Sequence, residues 1–128
     1  MAQVSDARGW SLDVERGPDW LFVRPRQLTR TAASLPRFAE QVWSVLQKNF
    51  VRRLVLELGD FDCLDSQLIG ELLWLYEHIQ SKDGTMRICG LSKANQDLLR
   101  HCRLEEQFPP FRDREEAVMG HLRPTHPR

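Results

Sequence analysis

The sequence from Val51 to His78, VRRLVLELGDFDCLDSQLIGELLWLYEH, decides the fold that this chain is expected to adopt. Its almost continuous apolar run, Leu54–Leu58, is typical of a central strand that is covered on both faces. A Gly-Asp break follows, and Asp65 and Ser66 then stand directly before apolar residues at helical spacing. The stretch therefore predicts a strand, a short acidic loop, and a helix that begins at Ser66 or Gln67 and reaches about Ser81.

Upstream of this stretch, the sequence predicts a β-hairpin followed by an amphipathic helix. Residues Trp10–Glu15 alternate between apolar and polar, and Trp20–Val23 resume as a strand after Gly-Pro-Asp turn residues. Pro25 is expected to end that second strand or to place it at an edge. Apolar residues at helical spacing then predict a helix over Leu35–Asn49, with Ser34 as its cap.

Downstream, the pattern predicts one more strand and two short helices. The strand is Thr85–Cys89, after a Lys-Asp-Gly helix stop, and Ser92 is expected to cap the helix that follows it. The inner face of that helix is predicted to carry Leu98, Leu99 and Cys102. Asp113 and Glu116 have the spacing of a capping box, which predicts a last helix over Arg114–Met119.

This order of elements predicts an α/β fold with an N-terminal β-hairpin plus alternating strands and helices. After the hairpin each strand is followed by a helix, so the sheet is expected to be small, mixed and largely parallel, with helices packed on it. With 128 residues, the chain is long enough for one domain, predicted over residues 10–120. Residues 1–9 and 121–128 are predicted to be a flexible N-terminus and a flexible C-terminal tail.

Composition excludes several classes of function. The 18 Lys and Arg residues balance 18 Asp and Glu residues, which argues against a nucleic-acid binder that relies on an overall basic surface. No apolar run approaches the roughly 20 residues of a membrane span, and no apolar leader segment is present, so we expect a cytoplasmic protein. The oligomeric state does not follow from the sequence.

The sequence shows no pattern of metal ligands, and we expect neither a metal site nor a cofactor. The histidines lack metal-ligand spacing, and the acidic residues at 60, 62 and 65 are interpreted as a solvated loop. The three cysteines form no CxxC pair and are predicted to be reduced and mostly buried thiols: Cys63, Cys89 and Cys102.

Several of these segments together resemble the STAS domain of bacterial anti-sigma-factor antagonists. The resemblance is carried by an apolar strand, a short acidic loop, an Asp-Ser pair and the helix that follows, and by a later loop-strand-loop segment. The corresponding residues are Leu54–Leu58, Phe61–Ser66, Ile69-Gly70, Leu72-Leu73 and Gly84–Ser92. The resemblance extends over about Trp10 to Met119, and it implies a STAS-like fold.

The resemblance implies a phosphorylation switch at Ser66. In this family the serine of the Asp-Ser pair is phosphorylated by a partner that is both a serine-protein kinase and the anti-sigma factor. The unphosphorylated protein binds that partner and frees the sigma factor, whereas the phosphorylated protein does not bind. Asp65 matches the acidic residue that helps to shape the site. The chain departs from the family at Gln67-Leu68, where many members continue with Ser-Gly or Thr-Gly.

The helix after Ser66 carries a second candidate feature. Gln67, Glu71, Trp74 and His78 are four, three and four residues apart, so they share one face, which is expected to lie roughly opposite the core stripe. An exposed tryptophan among polar residues is a candidate anchor for a partner protein. Alternatively, Trp74 packs beside Leu73 and completes the core. The predicted partner-binding set consists of this face together with Asp62, Asp65 and Ser66.

The physical chemistry of Ser66 allows two compatible roles. Its hydroxyl can cap the helix, and a phosphate placed there would meet free N–H groups and the positive end of the helix dipole. Neighbouring carboxylates would repel the phosphate, which suits an off-switch for a docked partner. We therefore expect a regulatory interaction module rather than an enzyme. The alternative is a non-phosphorylated STAS scaffold or transport-complex subunit, and a hydrolase with Ser66 as nucleophile lacks a visible base.

Overall fold

The computed structural model describes residues 2–6, 10–27, 38–59, 64 and 66–120. A five-stranded sheet has the order β1-β2-β3-β4-β5. β1, β2 and β3 pair antiparallel, whereas β3, β4 and β5 pair parallel, which confirms the predicted mixed α/β class. The elements are β1 (Ala2–Asp6), β2 (Trp10–Arg16), β3 (Leu21–Gln27), α1 (Phe38–Lys48), β4 (Arg53–Glu57), α2 (Ser66–Ser81), β5 (Thr85–Cys89), α3 (Lys93–His101) and α4 (Arg114–Met119).

β4 lies between β3 and β5 and is buried on both faces, as its apolar run predicts. Leu54, Val55 and Leu56 are all fully buried. Because side chains alternate along a strand, Leu54 and Leu56 join the main core, while Val55 points into a smaller apolar cluster on the opposite face. The strand ends at Glu57, one residue earlier than the predicted bound at Leu58.

The two faces of the sheet are covered unequally. Apolar residues of α1, α2 and α3 belong to the main core, to which β2, β3, β4 and β5 also contribute. On the other face, α4 packs over β4 and β5 and contributes Ala117 to the smaller cluster. The remaining buried members of that cluster are Trp20, Val55, Cys89 and Phe111. Burial on both faces is the arrangement that parallel strands require.

Most of the helix and strand predictions downstream of β4 are confirmed. α2 and α4 begin and end where the patterns placed them, and β5 has its predicted bounds. The Ser92 hydroxyl accepts a hydrogen bond from the backbone N–H of Asn95 at 3.2 Å, and the Asp113 carboxylate accepts one from the backbone N–H of Glu116 at 3.0 Å. The cap predicted at Ser34 lies outside the described residues. α1, predicted over Leu35–Asn49, is described from Phe38 to Lys48.

Three local predictions differ from the structure. β3 continues through Pro25 to Gln27. Among the described residues β3 pairs with β4 only over Leu21–Val23, so the missing N–H of Pro25 interrupts no hydrogen bond to β4. The segment before Trp10 contains β1, where no strand was expected. Cys102 is exposed rather than inward-facing, because α3 ends one residue earlier and leaves Cys102 at the cap position.

Candidate functional site

Ser66 is the first residue of α2 and its side chain is exposed. α2 follows β4, so Ser66 lies at the edge where the carboxyl ends of the parallel strands meet. Ligands and partners of α/β folds commonly bind at this edge. Because the helix begins at Ser66 itself, the capping position moves to residue 65, which lies outside the described residues. The hydroxyl therefore stands beside the first-turn N–H groups of the helix.

The first turn of α2 is exposed to solvent around Ser66. Gln67 and Gly70 are exposed beside it, and a Cβ at Gly70 would meet no atom within 4 Å. Leu68, in contrast, is only 4% exposed and belongs to the main core. Of the two residues at which the chain departs from the family pattern, only Gln67 is therefore exposed at the surface.

The loop that leads into Ser66 is tied to α3. Leu64 is buried in the main core, and its backbone N–H donates a hydrogen bond to the side-chain oxygen of Asn95 at 2.9 Å. Asn95 lies in the first turn of α3 and is only 1% exposed. The sequence analysis did not identify Asn95 as a site residue. Its position three residues after the Ser92 cap is visible in the sequence, but its inward direction depends on how α3 packs.

The predicted polar face of α2 lies along α1 rather than away from the core. The carboxylate of Glu71 accepts a hydrogen bond from the backbone N–H of Ala39, in the first turn of α1, at 3.2 Å. The His78 ring stacks on Trp74, with ring centroids 3.8 Å apart. It also packs in a T-shaped arrangement with the Trp43 ring, with centroids 5.9 Å apart. The expectation that this face lies opposite the core stripe is therefore wrong.

Trp74 is half-buried and packs against the main core, which agrees with the alternative in which it completes the core. The Nδ1 atom of His78 lies 3.0 Å from the backbone oxygen of Trp74, one helical turn earlier. Gln67 stays exposed at the Ser66 end of the helix. Asp62 and Asp65 lie outside the described residues, so their place in a partner-binding surface stays a prediction.

The described residues contain a second polar cluster, on the α4 face of the sheet. The Arg114 guanidinium donates hydrogen bonds to both carboxylate oxygens of Glu57, at 3.1 and 2.8 Å, and one to Glu15 at 2.6 Å. These hydrogen bonds to Glu57 raise the pKa of Arg114. The guanidinium also lies 4.4 Å above the ring of Phe22. The cluster fixes α4 on the sheet, and this face is separate from the exposed turn at Ser66.

Cys89 is unsuited to act as a nucleophile. Burial, together with smaller contributions from the carboxylates of Glu57 and Asp113, raises the pKa of its thiol to about 12, against a smaller opposing effect of Arg114. A thiol with this pKa is neutral at physiological pH. Cys89 is thus a buried, unreactive thiol, as the sequence predicts, whereas Cys63 lies outside the described residues.

The described residues include neither a metal-ligand cluster nor a helix that could cross a membrane. Between residues 2 and 120, leaving out the undescribed gaps, no three histidine, cysteine or acidic side chains are grouped so that they could hold a metal ion. No helix in the same ranges is long and apolar enough to cross a membrane.

Comparison with known proteins identifies the family. The model of the STAS domain matches residues 17–117 of the chain. An anti-sigma factor antagonist from Mycobacterium paratuberculosis is 18% identical, with a TM-score of 0.69 over 91% of this chain and 97% of its own. The anti-sigma factor antagonist SpoIIAA in its unphosphorylated form is 14% identical, with a TM-score of 0.59 over 88% of this chain and 99% of its own.

The phosphorylated form of the Bacillus cell fate determinant SpoIIAA has a similar fold, with a TM-score of 0.61 over 86% of this chain and 99% of its own, at 12% identity. At these identities the structural likeness establishes the fold alone. The family model adds a sequence match that spans β3, β4, β5, the helices α1, α2 and α3, and the first four residues of α4. This chain therefore belongs to the STAS domain family.

Proposed function

We propose that the protein is an anti-sigma-factor antagonist that acts in the cytoplasm by binding an anti-sigma factor with serine-kinase activity. Phosphorylation of Ser66 by that partner ends the interaction. The chain acts through binding rather than catalysis, and needs no cofactor. The observation that carries this proposal is the exposed hydroxyl of Ser66 in the first turn of α2, within a STAS fold.

The geometry around Ser66 supports a docking site that a phosphate would disrupt. Gly70 has no side chain and open space beside it, so a partner can approach the backbone of α2 closely at this position. A phosphate adds about 1.5 to 2 negative charges, which would be placed at this contact surface beside the acidic sequence that ends at Asp65. Repulsion from the neighbouring carboxylates and the loss of close contact would both weaken binding.

A second candidate function is a STAS scaffold or transport-complex subunit that is not phosphorylated. Gln67-Leu68 in place of a small residue and glycine favours this alternative. Since Leu68 is buried, however, the structural difference that a partner meets is confined to the Gln67 side chain. This burial favours the phosphorylation switch over the scaffold.

Calorimetric titration of the cognate ATP-binding partner tests the proposal with two substitutions at Ser66. We expect Ser66→Ala to bind like the unmodified protein, and Ser66→Asp to bind at least about tenfold more weakly, which corresponds to about 1.4 kcal/mol. Gln80→Asp is the matched control, because Gln80 is exposed near the other end of the same helix and does not line the groove there. Equal affinity of Ser66→Asp and Gln80→Asp for the partner would exclude Ser66 from the interface.

A further inference from the structure

Phe50 is the most exposed large apolar residue of the described chain, with 93% of its surface accessible. It lies in the connection between α1 and β4, three residues before the strand begins at Arg53. Ser66 follows the other end of β4, so Phe50 and Ser66 lie at opposite ends of the sheet. A function for Phe50 is therefore separate from the proposed switch.

The backbone at Phe50 is also unfavourable for this residue type. Phe50 has a φ angle of 55°, in the left-handed region. Its N–H donates to the Gln47 oxygen and the Val51 N–H donates to the Leu46 oxygen, both at 3.2 Å, which is the Schellman pattern that usually places glycine at this position. A bulky non-glycine residue in this conformation is strained, and such strain concentrates at functional sites.

The ends of α2 and α3 show what is unusual about Phe50. Asp83 and Arg103 occupy the same position in the same hydrogen-bond pattern, each with a φ angle of 60°. Both are charged and exposed, so they gain hydration that a phenyl ring lacks. Phe50 alone combines the strained conformation with an exposed apolar ring. Neither cost is recovered by burial within the protein, which points to burial against a partner.

Phe50 borders a groove of about 580 Å³ between the C-terminal ends of α1 and α2. The apolar lining residues are Trp43, Leu46, Val51 and Ile79, and they continue into the main core. Half of the lining residues are apolar and half are polar or charged, and the volume is in the range that binds a ligand or an inserted side chain. The groove and the Phe50 ring together form what we call the Phe50 groove.

The rim of the Phe50 groove has an excess of positive charge, although the whole chain is neutral. Arg52 and Lys82 are exposed lining residues, and Lys48 is exposed next to the lining residue Gln47. The one acid among the lining residues is Asp83. In the described part of the chain these three cations form no ion pair; Arg52 instead donates to the Lys82 backbone oxygen at 3.5 Å.

We propose that the Phe50 groove is a second docking site, and that it binds an acidic amphipathic helix of a partner protein. Apolar side chains of that helix fill the groove beside Phe50, and its carboxylates face Arg52 and Lys82. Amphipathic helices commonly bind in this way, with their apolar face in a hydrophobic groove. Charge complementarity selects an acidic helix, and the concave shape favours an inserted helix over a flat membrane surface.

The occupant is not expected to come from the end of this chain. The sequence of residues 121–128, HLRPTHPR, contains Arg123 and Arg128 and no acidic residue, so it would be repelled by the basic rim. A second copy of the domain is not favoured by charge complementarity either, because the chain has an overall charge of zero. A separate acidic segment satisfies both the apolar and the electrostatic character of the groove.

The test uses a fluorescein-labelled helical peptide of 16 residues as the probe, with leucine at positions i, i+3, i+4 and i+7 and glutamate on the opposite face. Fluorescence anisotropy is expected to show binding to the full chain with a Kd on the order of 10 µM. A peptide with lysine in place of each glutamate is expected to bind at least about tenfold more weakly. Heteronuclear NMR then locates the contact, with shifts expected at Trp43, Val51 and Ile79.

Phe50→Gly is the decisive variant, because it relaxes the backbone while it removes the ring. We expect its Tm to rise by about 2–5 °C and its affinity for the acidic peptide to fall at least about tenfold. Arg103→Gly is the matched control: it relaxes the same helix-end position in α3, away from the groove, and should leave binding unchanged. Arg52→Glu should weaken binding of the acidic peptide and strengthen that of the lysine peptide.

Several outcomes would overturn the proposal. Equal binding of the two peptides, or equal binding by Phe50→Gly and the unmodified protein, would show that the groove does not select an acidic helix. Phe50-dependent dimerisation in sedimentation velocity would assign the groove to a second copy of the chain. Phe50-dependent binding to anionic phospholipid vesicles, without peptide binding, would assign it to a membrane surface. Ser66→Asp should change none of these results, so this proposal can fail or hold independently of the switch.

Discussion

The buried side-chain oxygen of Asn95 accepts a hydrogen bond from the backbone N–H of Leu64 at 2.9 Å. This bond joins the start of α3 to the loop that leads into the exposed turn at Ser66. Leu64 is itself buried in the main core, so the loop is held by an apolar contact and by a polar one. The position of Ser66 is therefore coupled to the packing of α3, which lies on the same face of the sheet.

Replacing Asn95 with leucine should destabilise the fold by about 1–3 kcal/mol, because the Leu64 N–H would be left buried without its acceptor. Urea unfolding measures the change. Ser92→Ala is the control, since it removes the α3 cap, at about 1 kcal/mol, but leaves the Asn95–Leu64 bond intact. Amide hydrogen exchange at Leu64 should accelerate in Asn95→Leu and stay slow in Ser92→Ala. Slow exchange in both variants would contradict the coupling.

The two-bond pairing of Arg114 with Glu57 should contribute measurably to stability. The two side chains are 38% and 22% exposed, and the arginine also contacts Glu15 and the Phe22 ring. Because the pair is bidentate and partly buried, we expect Arg114→Ala to lower the free energy of unfolding by about 1–2 kcal/mol.

Arg114→Lys tests the geometry rather than the charge, since lysine keeps the positive charge but cannot form the two parallel hydrogen bonds. We expect it to recover at most about half of the loss. A double-mutant cycle of Arg114→Ala and Glu57→Gln in urea should give a coupling energy on the order of 1 kcal/mol. Strict additivity of the two substitutions would mean that the pair contributes nothing beyond packing.

Ionisation of Cys89 should make the protein less stable in alkaline solution. Its folded-state pKa of about 12 lies above its ordinary value of 9.0, so the unfolded chain loses its thiol proton first. The resulting stability is complete below about pH 9 and is lost as the pH rises through about 12. From pH 8 to pH 10.5 the loss should amount to about 2 kcal/mol, because the full slope of 1.36 kcal/mol per pH unit applies only above about pH 9.

Cys89→Ala isolates this effect, because other groups that titrate above pH 9 are common to both proteins. The stability difference between the two proteins should shrink by the stated amount from pH 8 to pH 10.5. At pH 8, iodoacetamide should alkylate the exposed Cys102 and leave the buried Cys89 unmodified, as peptide mass mapping can show. A pH-independent stability difference would contradict the raised pKa.

Much of the fold could be predicted because local patterns and tertiary structure agree. The apolar run of β4, the helical spacing of α2 and the Asp113 cap each correspond to an observed element. The strand end predicted at Pro25 was wrong because a proline disrupts a ladder only on the side where its N–H would bond. The sequence does not show how far the pairing with β4 extends. β1 was missed because its pairing with β2, rather than its own apolar content, creates the strand.

The candidate site was predictable only in part. Ser66 and Gln67 are exposed, as a docking surface requires, and their role in binding a partner stays a prediction. The Trp74 face was misplaced because helical periodicity fixes which residues share a face but not which neighbour covers it, and α1 supplies Trp43 and the Ala39 N–H there. Asn95 was missed for a related reason: a polar residue in a first helical turn usually faces water, whereas here the approach of Leu64 gives Asn95 a buried partner.

Intact-mass spectrometry of the protein after incubation with its cognate ATP-binding partner and Mg·ATP tests the central claim most directly. We expect the unmodified chain to gain about 80 Da, the mass of one phosphate added to a serine hydroxyl. Fragmentation should place it on Ser66, Ser66→Ala should gain nothing, and the phosphorylated chain should dissociate from the partner. An unchanged mass with an active partner that binds the chain, or phosphate on a residue other than Ser66, would contradict the switch.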